Sequence, residues 1–434
     1  MTDTSTPHSA LRTPHSPNAL DVLKERGYVK DVTDEAGLRR ALEQPITLYA
    51  GFDPTASSLT VGHLVPVMAM AHLQRCGHRP IVVVGGGTAL VGDPSGKTAT
   101  RAVLSPEQIA ANLVPIREQL SRYFTFDNGR ALMVNNADWL VPLHYIEFLR
   151  DVGRHFNVNQ MLHHDTYRDR IGTEAGLSFV EFNYMLVQSY DFLHLYREHG
   201  CVLQLGGSDQ WANIVEGVGL IRKTEGATAY GLTCPLIETA SGAKMGKTEA
   251  GAVWLDATRT SPYDYYQFWI NTEDPDVERF LALFTFLPMD EVRALGRLQG
   301  ADLRQAKERL AYEATALTHG EAAAREAQAA ARALFQGGRG DGGAALSATA
   351  LAAVPQTAVP RAELAAGIEA DDLFARVGLC SSKSDARRLI QQGGAHVNEQ
   401  PVARHDAVFT LDDLRNGAFL LRKGKKGYHR VVPD

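Results

Sequence analysis

Short apolar runs closed by glycine or by paired polar residues recur through the first half of the chain, with amphipathic stretches between them. Ile46 to Ala50 is largely apolar, as a buried strand requires, and a turn through Gly51-Phe52-Asp53-Pro54 follows. A helix is predicted from near Gly62, carrying Leu64, Val65, Val67, Met68 and Met70. Ile81 to Val84 is a β-branched strand closed by Gly85-Gly86-Gly87; Ala131 to Val134 ends in Asn135-Asn136; Cys201 to Leu205 ends in Gly206-Gly207. Helical spacing covers Leu143 to Val152 and Phe179 to Tyr196. Strands alternating with helices predict an α/β domain with a parallel sheet, whose ligands sit at the carboxyl ends of the strands. The polar clusters fall at those ends.

From Ser261 the pattern turns to helix after helix, aromatic-rich over Asp264 to Ile270 and dense in Ala, Arg, Glu and Leu over Glu291 to Phe335. The run Gly337-Gly338-Arg339-Gly340-Asp341-Gly342-Gly343 and the Ala/Pro/Thr-rich stretch after it read as a linker. The expected divisions are a disordered tail (1–20), an α/β domain (21–260), a helical domain (261–336), a linker (337–363) and a small C-terminal domain (364–434). Composition adds limits. The 434 residues are 44% hydrophobic and 22% charged, an ordinary soluble mixture. A net charge of −6 argues against indiscriminate nucleic-acid binding, so any RNA contact needs local basic patches. Cys76, Cys201, Cys234 and Cys380 lack metal-ligand spacing and read as cytosolic thiols, with neither disulfide nor metal expected. With no membrane-length apolar run and no signal-peptide pattern, a cytoplasmic location is expected.

Two separated segments carry the first chemical signal. Pro54 to His63 follows the first strand, where Gly51 and Gly62 admit a ligand's close approach and Thr55, Thr60 and His63 offer donors to phosphate oxygens. In isolation this segment also reads as a strand-to-helix turn with a capping hydroxyl. Lys244-Met245-Gly246-Lys247-Thr248 sets two cations around a glycine in a predicted loop, which suits charge developing on a leaving pyrophosphate; alone, it also reads as a solvated turn. Gly92 to Thr98 ends like a P-loop, but Val91 stands where GxxxxGK[ST] needs glycine, so a Walker ATPase is rejected. Asp93 in that loop can bind a ligand cation such as an ammonium.

Tyr184, Gln188 and Asp191 fall at i, i+4 and i+7 of one predicted helix and share a face. A hydroxyl, an amide and a carboxylate flanked by Met185, Leu186 and phenylalanines need partners if buried, and a ligand is one such partner. A surface face with a snorkelling tyrosine is the alternative. Asp209, after Gly206-Gly207-Ser208, can take ribose hydroxyls; alone, that segment is also a simple turn.

In this order, Tyr49 to Ala56, Gly92 to Lys97, Gly206 to Trp211 and Lys244 to Thr248 resemble the signatures of bacterial tyrosyl-tRNA synthetases, class I enzymes whose HIGH and KMSKS motifs the two phosphate-facing segments resemble. The resemblance runs from about residue 20 to the C-terminus. It implies a Rossmann-like nucleotide-binding catalytic domain, a helical anticodon-side domain and an α+β S4-like RNA-binding domain. It further implies that L-tyrosine is activated by ATP with Mg²⁺ and transferred to tRNA(Tyr) by a homodimer. By resemblance, Tyr49 and Asp191 bond the substrate phenol, while Asp93, Tyr184 and Gln188 hold its α-ammonium. Gly51, Asp53, Thr55, His63, Asp209, Gln210 and Lys247 contact ATP or the adenylate. Thr60, His63, Lys244, Lys247 and Thr248 stabilise the phosphates. Thr60 stands where the family usually has histidine, and Ala50 replaces a more common cysteine; Thr60 can donate one neutral hydrogen bond but carries no charge.

Near the C-terminus, Lys383 and Arg387 are i, i+4 with Arg388 beside them, in a segment that resembles the S4 domain. Arg415, Arg422, Lys423, Lys425, Lys426 and Arg430 form a basic run interleaved with Tyr428. Phosphate contact is the functional reading and a solvated tail the alternative. Two rivals remain at this stage: a tryptophan-activating relative with the same chemistry, and an S4-type RNA-binding regulator with a decayed synthetase domain, which only Thr60 favours.

Overall fold

A computed structural model describes residues 17–54, 56–93, 105–173, 176–242, 244–248, 251–337, 354–415, 417–424 and 427–434, with the backbone alone at 106, 247–248 and 334–337. The chain forms two compact units, one running up to Gly246 and taking in Pro275–Arg297, the other made of Lys247–Asp274 and Leu298–Asp434.

The first unit is built on a six-stranded sheet. Its strands are β1 (Asp31–Val32), β2 (Thr47–Phe52), β3 (Arg79–Val84), β4 (Leu132–Asn135), β5 (Cys201–Gly207) and β6 (Tyr230–Cys234), in the order β1-β6-β5-β2-β3-β4. The expected parallel sheet needs one correction: β1 runs antiparallel to β6, while the other pairs are parallel. An edge strand bonds on one side only, so two residues entering from a turn can pair in either direction. β2 lies between β3 and β5, where the strand order reverses. In such a sheet the crevice beyond the carboxyl ends of the two central strands receives the ligand.

Helices pack on this sheet for reasons visible in their sequences. The predicted helix after the first turn begins as a single 3₁₀ turn, Val61–His63, and continues as α1 (Leu64–Arg75), with Leu64, Val65, Val67, Met68 and Met70 all buried. α2 (Phe179–His199) starts at a capping box formed by Ser178 and Glu181 and stops at Gly200 in the left-handed region. α3 (Trp211–Glu225) likewise ends on left-handed Gly226. Pro275–Arg297 joins this unit although the sequence groups it with the following helices. The buried guanidinium of Arg26 donates to the carbonyls of Ala282 (3.0 Å), Thr285 (3.1 Å) and Leu287 (2.6 Å), satisfying a helix C-terminus that would otherwise be orphaned.

In the second unit, α4 (Pro262–Ile270) buries Tyr263, Tyr265, Tyr266 and Trp269 against α5 (Leu303–His319) and α6 (Glu321–Gly337). The chain re-enters a sheet at β7 (Gln356–Val359), inside the stretch read as linker. β7 pairs in parallel with the last strand, a partner 74 residues away at Gln356 and Arg430 that no local pattern announces. Around it lie α7 (Ala370–Arg376), α8 (Lys383–Gln391), β8 (Ala395–Val397), β9 (Gln400–Pro401), β10 (Phe419–Lys423) and β11 (Gly427–Pro433), in the sheet order β9-β8-β10-β11-β7. Leu364, Leu373, Phe374, Ile390, Phe419 and Val431 form its core. No helix of the described residues is long and apolar enough to cross a membrane.

Candidate active site

Asp191 ends the polar face of α2 and is 3% exposed. Trp139 Nε1 donates to its Oδ1 at 2.7 Å and Asn136 Nδ2 donates to its Oδ2 at 2.9 Å. Asn136 is itself fixed, its Oδ1 accepting from the Gly87 amide at 2.7 Å and its Nδ2 also reaching Thr88 Oγ1 at 3.0 Å. Trp139 stacks on His194, ring centroids 4.4 Å apart. Burial pushes Asp191 up from 3.8 to about 7, against the pull of those two donors and with the charge of Asp53 adding to the rise. Across from it, the Tyr49 ring packs 5.3 Å from Phe192, and its hydroxyl is buried with no hydrogen-bond partner. Burial, and then the Asp191 charge, raises that phenol well above its usual range. A buried carboxylate with lone pairs to spare and a buried unpartnered hydroxyl leave room for one more polar group between them. Sequence reasoning missed Asn136 and Trp139; an asparagine directly after β4 with a tryptophan three residues on was the available signal.

A second polar level lies nearer the strand ends. Gln210 Nε2 donates to Asp93 Oδ2 at 2.8 Å, and Asn213 Nδ2 donates to Gln188 Oε1 at 2.9 Å and to Gln210 Oε1 at 3.2 Å. Thus Asp93, Gln188 and Gln210, assigned separately from sequence, form one network through Asn213, which was not foreseen. Tyr184 is buried on the same face of α2 as Gln188. Asp209 is raised by burial, then by the Asp93 charge, while Lys244 opposes the rise.

The two signature segments meet. A Cβ on Gly246 would stand 2.8 Å from the Gly62 amide nitrogen, and one on Gly62 would stand 3.5 Å from the Met245 carbonyl oxygen. Met245 is buried and its amide bonds the Ile237 carbonyl at 3.0 Å, which seats the loop. Thr60 turns toward its neighbour: His63 Nδ1 accepts from the Thr60 amide at 3.1 Å and lies 3.0 Å from the Thr60 hydroxyl. Accepting at Nδ1 leaves the imidazole proton on Nε2. Gly51, next to last in β2, is exposed with no atom within 4 Å of a would-be Cβ, and Asp53 packs over Gly85. Thr55 lies outside the described residues. Lys247 and Thr248 pair as a short strand with Gly251–Ala252.

In the C-terminal domain each cation foreseen on α8 is exposed yet paired with an acid: Lys383 with Asp372 (3.0 Å), Arg387 with Asp371 (2.6 Å) and Arg388 with Asp385 (3.7 Å). Asp371 is fully buried, so Arg387 is held while Lys383 and Arg388 face partly exposed acids. Tyr428 is buried, which removes it as a stacking surface, and it faces Arg422 across β10 and β11. Lys423 closes β10 and is half-buried; Lys425 and Lys426 lie outside the described residues.

A parallel-stranded sheet with its strand order reversing between β2 and β5, and two signature segments in contact after β2 and β6, has the architecture of a nucleotide-activating enzyme of the class I synthetase kind. The comparisons with known proteins agree. The family model "tRNA synthetases class I (W and Y)" matches residues 41–336, and "Tyrosine--tRNA ligase SYY-like C-terminal domain" matches residues 349–431. The tyrosine–tRNA ligase of Desulfosudis oleivorans is 56% identical over 433 residues, covering 96% of this chain and 99% of that one. That of Syntrophus aciditrophicus is 52% identical, covering 95% and 98%. A C-terminally truncated mitochondrial tyrosyl-tRNA synthetase from Aspergillus nidulans superposes with a TM-score of 0.67 at 33% identity, covering 74% of this chain and 95% of that one. The chain belongs to the class I tRNA synthetases of the tryptophan and tyrosine group and, within it, to the tyrosine–tRNA ligase family.

Proposed function

We propose that this chain attaches L-tyrosine to tRNA(Tyr) in two steps within the crevice. The tyrosine carboxylate attacks the α-phosphorus of ATP in line, the bond to the bridging oxygen breaks, and pyrophosphate leaves with the Mg²⁺ that entered as the counter-ion of ATP. A terminal ribose hydroxyl of tRNA then attacks the carbonyl carbon of the mixed anhydride and AMP departs. No enzyme nucleophile is needed; positioning and charge stabilisation supply the rate. Tyr49 and Asp191 read the phenol, and Asp93, Tyr184 and Gln188 hold the ammonium. Gly51, Asp53, Thr55, Asp209 and Gln210 take the nucleotide; His63, Lys244, Lys247 and Thr248 meet the phosphates, with Thr60 beside His63. The observation that carries this reading is the buried Asp191 next to the partnerless Tyr49 hydroxyl. ATP–pyrophosphate exchange is the test, and tyrosine alone should support it rapidly. Exchange driven by tryptophan would place the chain with the tryptophan enzymes; exchange with no amino acid would make it an RNA-binding regulator.

The raised Asp191 gives a pH dependence with a definite sign. Between 3.8 and about 7 the folded chain keeps a proton there that the unfolded chain has lost. The stability this contributes is present at low pH and lost as pH rises through about 7. A phenol donating to the carboxylate favours its ionised form, so tyrosine should bind about tenfold more tightly at pH 8 than at pH 6. Phenylalanine should show no such trend. Calorimetric titration at the two pH values checks both statements.

Packing supports both the division into domains and the assembly. The core formed between Val359 and Val431 closes on itself, and β7 belongs to its sheet. Deletion of 354–434 should therefore spare adenylate formation and lower the rate of tRNA charging at least tenfold, where a cut at 361 would strand β7. Lys383, Arg387, Arg388, Lys423, Lys425 and Lys426 are the RNA contacts whose loss this measures, and equal loss of both activities would refute the division. Val141, Tyr145, Ile146, Val158, Ile171, Phe179 and Val180 are all more than half exposed, which is much apolar surface for one stretch of a monomer. Covering it with a second copy gives a homodimer, so Phe179→Asp should sediment as a monomer where the parent chain sediments as a dimer.

A further inference from the structure

Asn213, 2% exposed on α3, is a buried polar side chain to which the mechanism above gives no role. Its surroundings fix more than its own position. Asp93, when ionised, can only accept hydrogen bonds, so Gln210 must turn its nitrogen toward that carboxylate, as the 2.8 Å contact has it. The oxygen of Gln210 then faces Asn213, which must meet it with N–H, and does so at 3.2 Å. The second hydrogen of the same Nδ2 goes to Gln188 Oε1 at 2.9 Å, which makes Gln188 present oxygen in turn. Asn213 therefore donates to both glutamines while Gln210 donates onward to Asp93, and no amide in the set can reverse without setting two like groups face to face.

We propose that Asn213 is a positioning residue that relays the polarity of Asp93 to Gln188, so that both groups offer lone pairs to the substrate's α-ammonium. The proposal rests on the reading that Asp93, Tyr184 and Gln188 hold that ammonium. Asp93 sits after left-handed Gly92, outside any helix or strand, so the Gln210 contact constrains a carboxylate that no regular element holds. Gln188 without its Asn213 partner can rotate its amide by half a turn and point N–H₂ at a cation, which reverses the sign of its contribution.

Asn213→Asp keeps the shape and reverses the polarity. Both glutamines must then turn nitrogen inward, leaving oxygen against Asp93 and N–H₂ toward the ammonium. Asn213→Leu keeps roughly the volume, removes the polarity and guards against a variant that fails to fold. Dissociation constants are measured for three ligands on the full chain: tyrosine, tyramine, which keeps the ammonium and lacks the carboxylate, and 3-(4-hydroxyphenyl)propionate, which lacks the ammonium. In Asn213→Asp the first two should weaken at least about tenfold and the third stay within about twofold, with Asn213→Leu showing the same selectivity at smaller size. Equal weakening of all three ligands, or no weakening of any, overturns the relay. Asp93→Ala serves as the control. If it too fails to separate tyramine from the propionate, the ammonium assignment falls; if it separates them and the Asn213 variants do not, only the relay falls.

Discussion

Asp191→Asn is expected to lower kcat/KM for tyrosine by about 100-fold in ATP–pyrophosphate exchange, while the value for phenylalanine should change far less. The carboxylate accepts from Trp139 and Asn136 and keeps lone pairs for a substrate phenol. A hydrogen bond to a charged group is worth about 1.5–3 kcal/mol, or roughly 10- to 100-fold. The substitution removes that charge and adds a second penalty. One face of the new amide is N–H₂, and the donors already present leave no acceptor for it. Asn136 cannot turn to compensate, because its Oδ1 holds the Gly87 amide at 2.7 Å. Selectivity should therefore collapse along with rate, since a site built to bond a hydroxyl rejects the substrate lacking it only while its own groups need that hydroxyl. A tyrosine-to-phenylalanine ratio left unchanged by the substitution would remove Asp191 from the specificity site.

That pocket shows where sequence reading succeeds and where it stops. The face of α2 was legible because i, i+4 and i+7 are a property of the helix alone, and the strands β2 to β5 were legible because buried parallel strands are nearly continuous apolar runs. β6 was missed: Tyr230–Cys234 carries Gly231 and Thr233 and sits inside the sheet by virtue of β5 and β1 on either side. β1 is two residues long and has no pattern to detect. Asn136 and Trp139 lie more than 50 positions from Asp191, and Gln210 lies 117 from Asp93. Such partners are set by which strand ends become neighbours, and periodicity within one element carries no trace of that. The α8 cations were legible as a face; their pairing with Asp371 and Asp372 on α7 was not, because it depends on how two helices pack.

Gly246→Ala should slow adenylate formation about 100-fold with tyrosine affinity unchanged. The φ of Gly246 is +78°, a conformation that costs an L-residue about 1–2 kcal/mol. The added methyl would also lie 2.8 Å from the backbone nitrogen of Gly62, and a backbone contact cannot be relieved by a rotamer change. The loop must therefore lift from the His63 segment, carrying with it the lysines on either side of Gly246. Removing one preorganised donor from developing charge typically costs 10²–10³ in kcat. The tyrosine pocket shares no residue with this contact, so its affinity should hold, and pre-steady-state adenylate formation separates the two quantities. The same account requires non-additivity. Lys244→Ala and Lys247→Ala should each slow the same step, and combining either with Gly246→Ala should cost little more than the worse single change, since both act on one loop–phosphate interaction. Full additivity, or a parallel fall in tyrosine affinity, would mean that the loop acts through the pocket and leaves pyrophosphate departure to other groups.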